Sequence, residues 1–344
     1  MKHGKGPEAR KRIVITGGAG FIGAHLCRRL LAEGHEVTCI DSFRTGRLSN
    51  LDPIATHPGF RIIQADVTRF ETVGLDPADE IYHLACAASP PHYQADPIHT
   101  MMTCVVGTAA FLDYAARCGA RFLLASTSEV YGDPEVHPQT ESYRGAVNPT
   151  GPRACYDEGK RAAEALAYDH ARAGGVGVRV ARIFNTYGPL MRADDGRVVS
   201  NFIAQALAGR PLTLYGTGLQ TRSFCYVSDM VEGLMRLMGH PEPVLAPVNL
   251  GNPEERTMRE LAETVARLCN VPLRMAQHPL PKDDPHRRCP DISRARSLLG
   301  WAPRVGLEAG LAETIASHRQ AEHRAAPQIL ATGTREACAV PSPG

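Results

Sequence analysis

Aromatic residues fill only 6% of the 344 positions, and just one of them is Trp. An excess of either charge is missing too: 38 Lys and Arg stand against 36 Asp and Glu, a formal balance of +2. With no Lys/Arg stripe interleaved with aromatics, no nucleic-acid partner is expected. No run reaches the roughly 18 apolar residues of a membrane span. The basic start from Met1 to Arg12 leads into a short strand-like stretch without a signal-peptide core. A cytoplasmic protein with no membrane association is therefore expected. Cysteine itself is plentiful, at ten residues, but no Cys-x-x-Cys pair and no Cys/His cluster at zinc spacing occurs among them. That excludes a zinc ribbon and argues against a disulfide framework. The histidines form no metal pair, and Asp194-Asp195-Gly196 is too short for a calcium loop, so no metal is expected.

With 43% apolar residues, a chain of this length buries a core of its own, as one large α/β domain or two lobes. Arg12 to Thr16, Glu36 to Ile40, Phe60 to Gln64, Glu80 to Leu84, Arg121 to Ser126 and Gly177 to Ile183 read as strands. Helical patterns lie between them, at Phe21 to Glu33, Pro97 to Cys118 and Cys155 to Ala173. Runs such as Ile13-Val14-Ile15 and Phe122-Leu123-Leu124 are apolar without alternation, as in a parallel sheet covered on both faces. The pattern is that of an α/β fold with a Rossmann-type, doubly wound parallel sheet. After Phe184 the chain becomes rich in Gly and Pro, with later helices at Thr257 to Leu268, Ile292 to Leu299 and Leu307 to His323. This predicts a Rossmann domain over residues 12–185, joined again by a return segment at 224–250, and a smaller C-terminal substrate-binding lobe over 186–323. Residues 1–11 and 324–344 read as flexible tails.

The first strand runs straight into Gly17-Gly18-Ala19-Gly20-Phe21-Ile22-Gly23 and then a helix, the context a phosphate-binding loop needs. Gly17 permits the tight turn, Gly20 the approach of a pyrophosphate to backbone N–H groups, and Gly23 close helix-to-strand packing. Asp41 follows 18 residues after Gly23 at the end of the second strand, where a carboxylate accepts from both ribose hydroxyls and repels a 2′-phosphate. NAD is therefore favoured over NADP, although Arg44 and Arg47 just downstream leave the phosphorylated form open. Asp66 ends the third strand and reads either as an adenine contact or as a cap for a helix from Thr68 to Val73.

Tyr156 and Lys160 are one helical turn apart on one face, where an ammonium is expected to lower the phenol pKa and make it a base for an alcohol proton. The strand ending at Ser126 leads into Thr127-Ser128-Glu129. Strand carboxyl ends are where ligands bind in such a sheet, so two hydroxyls, a carboxylate and the phenol are expected to converge there.

The glycine loop, Ser128 and Tyr156-x-x-x-Lys160 together resemble the extended short-chain dehydrogenase/reductase superfamily. Within it, the strings Ala125 to Pro134, Gly151 to Arg161, Arg179 to Pro189, Asp195 to Phe202, Gln220 to Phe224, Asp283-Asp284-Pro285 and Pro290 to Ile292 are similar to the UDP-glucuronate decarboxylase family. The resemblance implies bound NAD, with Val67, Leu84 and Thr186 completing its site beside Phe21, Ile22, Asp66, Tyr156 and Lys160. It implies UDP-glucuronate as substrate, with Asn185, Arg222 and Arg288 at the phosphates or sugar and Tyr215 near the uracil. Tyr156 would remove the C4 hydroxyl proton as NAD takes the hydride. The resulting β-keto acid would lose carbon dioxide, and protonation at C5 with return of the hydride at C4 would give UDP-xylose. Glu129 would orient the sugar or relay a proton, and Arg161 would support the active-site helix. Arg192 and Arg197 flank Asp194-Asp195 and read as their ion-pair partners. The family forms homodimers through helices, here those at Pro97 to Cys118 and Cys155 to Ala173.

Two positions depart from the family: Met102 stands where Lys is usual and Cys104 where Asn is usual. A lysine at 102 would suit the substrate carboxylate, so His92 and Tyr93 are its possible substitutes. Other readings stay open: a 4-epimerase, a 4,6-dehydratase, for which Ser128 lacks the usual acid, or a nucleotide-binding sensor without turnover.

Overall fold

The computed structural model describes residues 9–72, 74–279 and 287–325. Most of both expected tails, Val73 and the Asp283-Asp284-Pro285 string lie outside the described residues. The first half of the chain alternates strand and helix. β1 (Arg12–Thr16), β2 (Glu36–Asp41), β3 (Phe60–Gln64), β4 (Glu80–His83), β5 (Arg121–Thr127) and β6 (Gly177–Ile183) pair in parallel in the order β6-β5-β4-β1-β2-β3. In register, Val14 faces Thr38 on one side and Ile81 on the other. The helices are α1 (Phe21–Ala32), α2 (Pro90–Ala95), α3 (Pro97–Met102), α4 (Thr108–Cys118) and α5 (Ala154–Arg172).

Successive strand residues point to opposite faces, and both faces are apolar because both are covered. Ile13, Ile15, Tyr82 and Leu123 pack into one core with Leu26 and Leu30 of α1. Val14, Ile81, Phe122 and Leu124 pack into the other with Phe111 of α4 and Ala163 of α5. This double burial is why the strands carry no alternation in sequence.

Later elements divide between the main sheet and a smaller region beside its carboxyl edge. They are β7 (Thr186–Tyr187), α6 (Val198–Leu207), β8 (Leu212–Tyr215), β9 (Thr221–Ser223), β10 (Cys225–Tyr226), α7 (Val227–Gly239), β11 (Val248–Leu250), β12 (Glu255–Thr257), α8 (Met258–Cys269), β13 (Met275–His278), β14 (Arg287–Arg288), α9 (Ser293–Leu299) and α10 (Leu307–Ala325). Phe202, Ile203, Leu261, Val265 and Leu311 make the core of the smaller region. β11 adds to β6 as a seventh parallel strand of the main sheet, and α7 packs on the α1 side of that sheet. β9 lies between β12 and β14 and carries Arg222 beside Arg288.

Two expected helices come out differently. Pro97 to Cys118 is helical throughout, but its winding widens to a π turn at Thr103–Gly107 between α3 and α4. Thr103 Oγ1 donates to the His99 carbonyl at 2.8 Å, competing with the helical ladder at that turn. No helix follows Asp66. Residues 67–69 form a turn, in which Asp66 Oδ1 accepts from Thr68 N at 2.9 Å and from Thr68 Oγ1 at 2.8 Å.

Candidate active site

β1 lies between β2 and β4, so the chain leaves it in opposite directions and opens a crevice at the strands' carboxyl ends. A cavity of about 850 Å³ occupies that crevice and extends under β8, β9 and β14. Its wall includes every site residue expected from sequence: Gly17, Gly20, Phe21, Ile22, Gly23, Asp41, Asp66, Val67, Leu84, Thr127, Ser128, Glu129, Tyr156, Lys160, Asn185, Thr186, Tyr215, Arg222 and Arg288.

At one end, Gly17 turns the chain out of β1 with φ +72°, and a Cβ there would stand 2.9 Å from Ala85 N. A Cβ on Gly23 would come within 2.2 Å of Gly17 O, so the helix lies directly on the loop. Gly20 starts α1 with no side-chain cap and no acid in the first turn, which leaves the helix N-terminus to the cavity. Asp41 holds this turn together: Oδ2 accepts from Ala19 N at 3.0 Å and Oδ1 from Phe43 N at 2.8 Å. Burial pushes its carboxyl up against the pull of those two N–H groups. Gly46 packs beside it, where a Cβ would sit 2.8 Å from Oδ1. Arg44 and Arg47, which left a 2′-phosphate open, pair instead with Asp96 at 2.7 Å and Asp194 at 3.5 Å. Asp66 Oδ2 meets His99 Nε2 at 2.7 Å.

In the middle of the cavity, α5 presents Tyr156 and Lys160, both nearly fully buried. Lys160 Nζ donates to the Ala125 carbonyl at 2.8 Å and lies 6.0 Å from the centre of the Tyr156 ring. Burial pushes the phenol well above its ordinary pKa, and Thr127 offsets only part of that. This direction is opposite to the lowering expected from the Lys160 ammonium. Tyr93 of α2 stacks on Tyr156 with ring centres 5.0 Å apart and planes 3° from parallel. The buried Tyr93 hydroxyl has no hydrogen-bond partner among the described residues.

Beyond Tyr156, Glu129 is clamped. Arg288 gives it two hydrogen bonds, one of them 2.8 Å long from Nη2, and Arg153 Nη2 gives another. Burial would push Glu129 up, but Arg288 and Arg153 outweigh it and hold the carboxyl below its usual range. Asp157, behind Arg153, goes the other way: burial and the neighbouring Glu129 charge push it up to about 7. Arg222 Nη1 donates to the Thr221 carbonyl at 2.9 Å. Arg153 is the residue that sequence reasoning missed, because its partner is 24 positions away and meets it only in the fold.

The two departures from the family lie elsewhere. Met102 is 42% exposed and is not part of the cavity wall, so the expected carboxylate contact at 102 has no place in this site. Cys104 is buried behind the wall, its Sγ 3.4 Å from that of Cys86, which does line the cavity. Arg161 Nη1 ties α5 to the carbonyls of Val130 and Arg144, at 3.2 and 2.6 Å. Arg192 and Arg197 pair with Asp194 and Asp195. Among the described residues one metal-type donor group comes together, His137, Glu255 and Cys289, with donor atoms within 4.8 Å of one another. It is separate from the cavity wall.

The profile of the NAD dependent epimerase/dehydratase family matches residues 13–251. The chain belongs to that family. Among its relatives, UDP-glucuronic acid decarboxylase 1 of Danio rerio is 55% identical over 93% of this chain and 76% of its own length. UDP-glucuronic acid decarboxylase 6 of Arabidopsis thaliana is 55% identical over 90% of both chains. The solved structure of a UDP-glucuronic acid 4-epimerase from Bacillus cereus, in complex with UDP-glucuronic acid and NAD, is 26% identical and superposes with a TM-score of 0.82 over 90% of this chain and 99% of its own. For a member of this family the glycine cradle decides the fit of the cofactor. The backbone at Gly17 and Gly23 leaves no room for a side chain, the helix N-terminus is uncapped, and an acid sits at the end of β2. NAD is the dinucleotide this end of the cavity fits.

Proposed function

We propose that the protein decarboxylates UDP-glucuronate to UDP-xylose, using NAD that is regenerated in each cycle. The observation that carries this reading is the convergence of Tyr156, Thr127 and Ser128 with Glu129 and guanidinium groups in one cavity. Arg288 and Arg153 bind Glu129 and Arg222 acts on it from the same wall, donors of the type that grip a diphosphate or a uronate. The likeness to the decarboxylases of Danio rerio and Arabidopsis thaliana supports the same substrate.

In this reading Gly17, Gly20, Phe21, Ile22 and Gly23 hold the pyrophosphate of NAD, Asp41 the ribose, Asp66 and Val67 the adenine side, and Leu84, Thr186 and Lys160 the nicotinamide side. Bound there, the dinucleotide supplies a hydride acceptor early in turnover and a hydride donor late. Tyr156 Oη takes the proton of the C4 hydroxyl, with Lys160 and Thr127 on hand to favour the phenolate. Once C4 is a carbonyl, the neighbouring carboxylate is that of a β-keto acid, and the electron pair of the breaking bond runs into the C4 oxygen. Tyr156, Thr127 and Ser128 surround that oxygen with donors. Glu129, kept ionised by Arg153 and Arg288, is an acceptor and orients the sugar hydroxyls rather than giving up a proton. Asn185, Arg222 and Arg288 take the diphosphate, and Tyr215 the uracil. Residues 12–185 with 224–250 act as the dinucleotide domain and 186–323 as the nucleotide-sugar lobe.

Incubation of the purified protein with UDP-glucuronate and NAD is expected to yield UDP-xylose and carbon dioxide. UDP-galacturonate without gas would make it a 4-epimerase instead, and unchanged substrate would overturn the reading.

The partner in solution is a second copy. Ile98, Met102 and Val106 are spaced four apart and are 74%, 42% and 41% exposed, an apolar stripe along α3 and the π turn. A stripe of this kind covers itself across a twofold axis. Light scattering is expected to give a dimer for the wild type and a monomer for Met102→Glu combined with Val106→Glu. The nine cysteines among the described residues are all free thiols, which fits residence in the reducing cytoplasm.

A further inference from the structure

Cys86 and Cys104 are 18 positions apart in sequence, yet their sulfurs share a hydrogen bond of 3.4 Å. Cys86 stands on the loop after β4 and faces the cavity, while Cys104 lies on the π turn with 1% of its surface exposed. Cys104 also presses on the catalytic helix, since a Cβ on Gly159 would stand 3.0 Å from its Cβ and 3.2 Å from its Sγ. The Lys160 ammonium acts on both sulfurs and favours a negative charge there. The shared hydrogen bond, with help from that ammonium, brings Cys104 down to about 7, while the same bond and burial push Cys86 up, so Cys104 is the sulfur that carries the charge of the pair. Neither thiol has a part in the chemistry proposed for this cavity.

We propose that Cys86 and Cys104 form a peroxide-oxidisable dithiol whose closure to a disulfide shuts down the adjoining cavity. Peroxide enters from the cavity beside Cys86, and the Cys104 thiolate attacks one of its oxygens. The O–O bond breaks, Cys104 becomes a sulfenic acid, and the departing hydroxide takes the Cys86 proton to form water. The Cys86 thiolate then attacks the Cys104 sulfur and expels hydroxide, which takes up the proton lost at the start. Two thiols are oxidised by two electrons and one peroxide is reduced to two waters. Closing the gap to a disulfide of about 2.05 Å draws the sulfurs together by roughly 1.4 Å. That movement has two walls to disturb. Leu84 and Ala85, just before Cys86, back directly onto Gly17, and Cys104 backs onto α5 between Tyr156 and Lys160.

The test treats the full-length protein with hydrogen peroxide and reads it in three ways: peptide mapping, dinucleotide affinity and turnover. A Cys86–Cys104 linkage is expected, with a loss of roughly tenfold or more in NAD affinity or turnover that dithiothreitol reverses. Cys104→Ser, a residue outside the cavity wall, is expected to keep its activity under the same treatment. Cys155 lies close to both sulfurs, and a map joining it to either one would overturn the proposal. So would the expected linkage without loss of either function, or a Cys104→Ser protein as sensitive as the wild type. The turnover reading rests on the decarboxylase assignment, whereas the peptide map and the NAD affinity do not. Failure of that assignment therefore leaves the dithiol to be judged on those two measurements.

Discussion

At position 156 two effects oppose each other. A phenol that must accept a proton works best with a low pKa, yet burial drives this one up. Lys160 donates to the Ala125 carbonyl at 2.8 Å and lies 6.0 Å from the ring centre, so its ammonium is shared between that carbonyl and the phenol. The phenol is thus protonated until substrate and an oxidised dinucleotide bring their own charges to the cavity. Tyr156→Phe is expected to lower kcat by roughly 10²- to 10⁴-fold. It leaves the Tyr93 stack in place, so NAD affinity should persist, and equilibrium dialysis checks that. An equal loss of NAD binding would show that the hydroxyl serves the fold and not the proton transfer. Which single residues were legible follows from distance along the chain. Tyr156 and Lys160 announce themselves by helical spacing, and the glycines by their turn. Arg153 does not, because the partner that gives it meaning, Glu129, belongs to another element, and Tyr93, expected only as a possible carboxylate contact, stacks on Tyr156 of another helix.

Among elements, the strands were the most readable. β1, β3 and β6 run over the residues expected of them; in β1 burial on both faces writes an unbroken apolar run, whereas the edge strand β3 is only half-buried. Helices were legible in position but not in winding. The π turn at Thr103–Gly107 leaves the residue spacing nearly helical, so periodicity cannot show the change of winding between α3 and α4. The end of α8 illustrates the remaining error of a residue or so. Thr257, expected as its first helical residue, is instead its N-cap: Oγ1 accepts from Glu260 N at 3.1 Å, and Glu260 Oε2 accepts from Thr257 N at 2.8 Å. Both bonds belong to a capping box that satisfies two otherwise orphaned donors. Thr257→Ala is expected to cost about 1 kcal/mol in urea denaturation, and Thr257→Ser to restore most of it. No cost in Thr257→Ala would mean that packing of Leu261 and Val265 alone holds the helix start.

For the whole molecule, two buried groups tilt stability with pH in opposite directions. Burial, aided by the Lys160 charge, brings His83 down to about 3 from 6.5, so between those values the unfolded chain holds the extra proton. Its contribution is full above pH 6.5 and is lost as pH falls toward 3. Asp157 is the reverse: its carboxyl is raised from 3.8 to about 7, so across that interval the folded chain holds the extra proton. Its neutral form is tolerated below pH 3.8, and stability is lost as pH rises through 7, where the charge is forced onto an oxygen without a hydrogen-bond donor. Over the shared interval the slopes oppose each other, and wild-type stability should vary less with pH than either group implies. Asp157→Asn removes only the second slope. The variant is expected to match the wild type near pH 3.8 and to exceed it by on the order of 1 to 3 kcal/mol at pH 7 and above. Thermal melts of both proteins in one buffer series measure that difference directly, since every other titrating group cancels. A gap that narrows as pH rises would mean that Arg153, 3.8 Å from the carboxylate, binds its charge more strongly than burial repels it.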